Sequence, residues 1–105
     1  MTEHVDNNVA LEDCNESDYR QYWSSIPTDA DGLTGRALIN LSTGHKMSVV
    51  GDNVVAGSGG IRETVWDHIS VPGGYHFKNI SLGSFIGTDG GNVKMQQQPM
   101  TWSAR

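Results

Sequence analysis

Hydrophobic positions along this 105-residue chain change rhythm where the glycines begin. Residues 1–18 are polar and acidic, with Val9, Ala10 and Leu11 as a brief apolar run, and they predict an arm that orders when something binds it. Tyr19, Tyr22, Trp23 and Ile26 then stand at i, i+3, i+4 and i+7, the spacing of one helical face, and Pro27 ends such a helix. From Arg36 onward the period shortens towards two. Ala37, Ile39 and Leu41 predict one face of a first strand. Short runs at 47–50, 53–56, 61–71, 75–82 with a continuation to 86 beyond a bulge at Gly83, and 93–95 predict the rest.

All thirteen glycines fall between Gly32 and Gly91, where they punctuate these runs. Glycine adopts positive φ at little steric cost, so the punctuation reads as tight turns. Pro72-Gly73-Gly74 is the clearest, and Thr88-Asp89-Gly90-Gly91-Asn92 is a second hairpin signal. The expected fold is all-β: a small antiparallel β-sandwich or barrel of six to seven short strands with extended N- and C-terminal arms. The expected boundaries are 1–31 for an acidic arm with a short aromatic segment, 32–95 for the β domain and 96–105 for a C-terminal extension.

Composition narrows the function classes. A hydrophobic share of 36% lies under the roughly 45–50% of ordinary domains, and a thin core favours oligomerisation. The net charge is −5, which argues against nucleic acid as a partner because phosphate binding needs clustered Lys and Arg. Residues 1–32 carry eight acids against Arg20 alone, so the arm is solvated or docks on a basic neighbour. Cys14 is the single cysteine, which excludes an intrachain disulfide. No apolar run approaches the roughly 20 residues of a membrane helix. Residues 1–25 lack the apolar core of a signal peptide, so the expectation is synthesis in a host cytoplasm with no membrane partner.

Candidate chemistry is sparse. His68 and His76 flank the Pro72 turn, but two ligands do not make a zinc site. Asp67 and His68 are strand neighbours that point to opposite faces, which spoils a catalytic triad. Gly57-Ser58-Gly59-Gly60 lacks the Lys-Ser/Thr and helix of a phosphate loop. No catalytic residue, metal site or cofactor is expected. Trp66 on an otherwise polar strand face, with His68 and Arg62, could stack on a sugar, which makes a ligand-binding β module the alternative function. An intracellular inhibitor of a host enzyme is a further option. Tyr19, Tyr22, Trp23, Met100 and Trp102 lie outside the glycine-rich body, as interface anchors or as caps on the domain's own open ends.

The order of segments carries a resemblance over about residues 30–91. Arg36-Ala37-Leu38-Ile39 precedes a glycine turn and a short valine strand. An aromatic-bearing strand then ends in Val71-Pro72-Gly73-Gly74, and Tyr75-His76-Phe77-Lys78-Asn79-Ile80 returns from it. Gly83 and Gly87-Thr88-Asp89-Gly90-Gly91 follow. This order resembles the small spike-base and decoration proteins of tailed phages and gene-transfer agents. It departs from them at Gly73, where that family often has alanine, and in its longer acidic N-terminal arm. The resemblance implies a non-enzymatic virion protein that forms a symmetric ring or spike with itself and contacts other virion proteins such as capsid or fibre.

Overall fold

The computed structural model describes residues 1–4, 6–12, 17–30, 32–57 and 60–103; the Cys14 reading and part of the glycine loop at 57–60 lie outside them. The chain is all-β. The strands are β1 (Thr2–Glu3), β2 (Val9–Ala10), β3 (Trp23–Ala30), β4 (Leu33–Asn40), β5 (Met47–Val50), β6 (Asn53–Ala56), β7 (Trp66–Val71), β8 (Gly74–Asn79), β9 (Phe85–Asp89) and β10 (Asn92–Gln96). They form one antiparallel sheet in the order β1-β2-β10-β9-β8-β7-β4-β3, curled into a half-barrel, and the β5–β6 hairpin joins it through β6 and β10.

Register assigns the faces. Arg36 pairs with Trp66, His68 with Phe77 and Ser70 with Tyr75, and directly opposed residues share a face. The inner face therefore carries Arg36, Leu38 and Asn40 of β4 together with Trp66 and His68 of β7. Leu38, Trp66, Met47, Val54, Ile86 and Val93 belong to the core. Of the face expected from Ala37, Ile39 and Leu41, Ala37 is buried, Ile39 is half-buried, and Leu41 lies past the strand end and is 60% exposed. Asn40 takes an inward position because its side chain closes the following turn, accepting from the N–H groups of Ser42 and Thr43 and donating to the Arg20 carbonyl.

The helix expected across Tyr19 to Ile26 is replaced by a 3-10 turn, Tyr19–Gln21, and by β3. Asp18 caps the turn by accepting from the Arg20 N–H at 3.0 Å. Pro27 cannot supply a helical N–H, whereas an edge strand tolerates it, and it sits in β3 opposite Arg36. Eight paired positions with β4 decide the outcome in favour of strand.

The acidic arm also needs correction, because the described parts of residues 1–31 supply three strands. Val9 is fully buried in the core, and Ala10 pairs with Asn92 of β10. Burying a valine stabilises by about 2 kcal/mol, enough to hold a two-residue strand in place. Asn8, Asn53 and Asn92 close a ring of side-chain hydrogen bonds of 2.9, 2.7 and 2.7 Å that ties this segment to β6 and β10. Ten strands thus stand where six or seven are expected.

Two further boundaries move. The 61–71 run divides into a 3-10 turn, Arg62–Thr64, and β7. The 75–86 run is broken at Asn79 by a full turn rather than a bulge, with Asn79 N–H donating to the Ser84 carbonyl and Gly83 N–H to the Asn79 carbonyl. No described helix is long and apolar enough to cross a membrane.

Candidate functional site

Two regions of the half-barrel carry unspent recognition chemistry. The first is the open edge. β3 has eight residues, all in register with β4, and ends the strand order; its other side meets no described strand, although the Ser25 carbonyl is taken by Arg36 and Pro27 brings no N–H. The opposite end of the order is β1, with only two residues. Ile26 in the middle of β3 is 41% exposed. Tyr19 and Tyr22 meet edge to face beside the β3 entrance at 5.8 Å, and Tyr19 is among the most exposed large side chains.

The aromatic anchors divide. Tyr19 faces solvent, whereas Trp23 and Trp102 pack on the chain's own core. The Trp23 indole N–H donates to the Met1 carbonyl at 2.8 Å, and that of Trp102 donates to the Ile86 carbonyl at 3.2 Å. Met100 is half-buried. The C-terminal segment is therefore not a free extension: Trp102 forms an antiparallel bridge with Tyr75 of β8.

The second region is polar and lies on the inner face beyond Trp66. Arg36 of β4 donates through Nε to Ser25 Oγ at 3.1 Å and through Nη2 to the Ser25 carbonyl at 2.6 Å. Ser25 Oγ also meets His68 Nδ1 at 3.2 Å. The His68 ring contacts Tyr75 at 4.4 Å and Phe77 at 5.0 Å between centroids. Burial holds the His68 imidazole below its ordinary value, the Arg36 charge adds to that, and Asp67 opposes both. A shallow depression of about 470 Å³ adjoins Tyr75, lined also by Ser70, Val71, Gly73, Gly74 and Ser103.

This site differs from the sequence expectation of Trp66, His68 and Arg62. Trp66 is fully buried, with its indole N–H donating to the Met47 carbonyl at 2.9 Å, so it cannot face a ligand. Arg62 lies exposed on the 3-10 turn before β7. His68 remains, and its neighbours are Arg36, Ser25, Tyr75 and Phe77. Reading these from sequence requires the β3–β4–β7–β8 register, which no local pattern encodes.

His68 and His76 do not face one another across the hairpin. His68 is opposite Phe77 and His76 opposite Ile69, which places them on opposite faces. Pro72 and Gly73 form the two-residue link between Val71 and Gly74, with Gly73 at φ +89, as the third position of a type II turn requires. Elsewhere, Glu3 is a buried carboxylate that meets His45 Nδ1 at 2.6 Å and accepts from Thr43 Oγ1 at 2.7 Å. No group of three or more His, Cys, Asp or Glu among the described residues is arranged to hold a metal ion. No family model, curated protein or solved structure matches the chain.

Proposed function

We propose that this chain is a non-enzymatic assembly module, a virion structural protein of a phage that associates into a symmetric oligomer. The observation that carries the reading is β3, eight residues long and paired with a described strand on one side only. A long open edge pairs readily with another chain, and native monomers usually cover or shorten such an edge. Ile26 adds exposed apolar surface at its centre. The setting on a phage particle rests on the resemblance of residues 30–91, and contact with capsid or fibre neighbours belongs to the same reading.

Sedimentation velocity of the wild-type chain and of Ile26→Lys tests the assembly. A lysine on an edge strand opposes strand addition. The expected result is an oligomer for the wild type and a monomer with unchanged far-UV circular dichroism for the variant. A wild type that stays monomeric, or a variant that assembles normally, overturns the edge as the joint. Mass spectrometry of density-purified particles tests the setting. A fixed copy number supports a virion component; absence from clean particles with abundant chain in the lysate contradicts it.

A further inference from the structure

We propose that the inner-face cluster of Arg36, Ser25, His68 and Tyr75, with the adjoining depression, is a binding site for an acidic saccharide, a sugar bearing a carboxylate. Arg36 is half-buried, and no carboxylate among the described residues pairs with it. A partly desolvated guanidinium without a counter-charge is a strong anion receptor, because the low local dielectric magnifies its field. Ser25 binds it through Nε and one Nη2 hydrogen, which fixes the plane of the fork. No group among the described residues accepts the Nη1 and remaining Nη2 hydrogens, the two that the paired oxygens of a carboxylate would take.

The surroundings favour a sugar over a bare anion. Tyr75, His68 and Phe77 form an aromatic row on neighbouring strands, with Tyr75 and Phe77 at 6.4 Å between centroids. Such rings accept the C–H face of a pyranose. Tyr75 also lines the open, shallow depression of about 470 Å³. Ser70, Ser103 and the backbone at Gly73 and Gly74 border it with groups that bond hydroxyls. Asp67, the acid next to His68 in sequence, is on the outer face of β7.

The test is a titration of the ¹⁵N-labelled chain with glucuronate, with glucose and acetate as controls. Glucuronate should shift the Tyr75, Ser70 and Arg36 signals saturably, with glucose and acetate each weaker by about tenfold or more. Arg36→Gln should weaken glucuronate by roughly ten- to hundredfold. Ser70 is exposed, so Ser70→Asp leaves the fold intact; its added negative charge should also abolish the saturable shift. This second variant keeps the test decisive if Arg36→Gln disturbs the sheet. The proposal is overturned by absence of saturation with glucuronate, by equal response to acetate, or by full binding in Ser70→Asp.

Discussion

Trp102 and Tyr75 exchange both backbone hydrogen bonds, the Tyr75 N–H donating to the Trp102 carbonyl at 2.9 Å and the Trp102 N–H to the Tyr75 carbonyl at 2.8 Å. β8 registers with β9 at Lys78↔Phe85, and Trp102 takes the place beside Tyr75. The end of the chain thereby becomes part of the sheet it follows in sequence. Trp102→Ala should cost about 2 kcal/mol, less than the roughly 3–5 kcal/mol of a fully buried tryptophan because this ring is half-buried. A urea midpoint that does not move would show that the segment adds nothing to the fold.

Gly74 and Gly73 separate two kinds of glycine requirement. A Cβ on Gly74 would run into the carbonyl oxygen of Trp102, whereas one on Gly73 meets nothing within 4 Å and suffers only from φ +89. Gly73→Ala should therefore cost about 1 kcal/mol. Gly74→Ala should cost more and also detach the C-terminal segment, read as increased quenching of tryptophan fluorescence by iodide. Equal losses for the two variants, without added quenching, would contradict the close approach.

Trp66→Ala distinguishes a core ring from a ligand platform. With the side chain fully buried and its N–H bonded to Met47, the expected loss is about 3–5 kcal/mol in chemical denaturation. An unchanged melting temperature would return Trp66 to the surface role that its sequence context suggests.

Glu3 and His45 predict how the N-terminal strand is held. His45→Ala leaves the buried Glu3 carboxylate with Thr43 as its remaining side-chain partner among the described residues. The cost should be about 2 kcal/mol, below the roughly 3–5 kcal/mol of an enclosed pair, because the His45 side chain is half exposed. Amide exchange in β2 should quicken together with that loss. Unaltered exchange at Val9 and Ala10 would mean that the pair does not anchor the strand.

His68 should make stability depend on pH. Its folded pKa lies below the ordinary 6.5, so between those values the unfolded chain binds more protons than the native one. Stability from this group is complete above 6.5 and is lost as pH falls through the folded value. The melting temperature of the wild type should drop more between pH 7.5 and 5.5 than that of His68→Gln. Parallel drops in the two proteins would assign the acid sensitivity elsewhere.

The legible part of the fold was the part written in local chemistry. Gly51, Gly73 and Gly90 mark turns that the backbone makes with positive φ, and the runs 47–50 and 53–56 are strands at those limits. The stretch from Tyr19 to Ile26 was not legible, since its helical spacing and its β3 pairing use the same residues. The polar cluster was equally hidden: Ser25, Arg36, His68 and Tyr75 are spread over fifty positions and look unremarkable where each stands. Only the cross-strand register brings them to one face.

By itself the sequence determined that this chain is β-rich and where its tight turns fall, because positive φ and β-branched alternation are properties of a few adjacent residues. The tertiary structure decided the burial of Trp66, the strand state of Trp23–Ala30, the place of Val9 in the core and the packing of Trp102 against it. Each of those depends on contacts between residues distant in the chain. Their energy enters only when the sheet closes around them, and there it overrides the local preference.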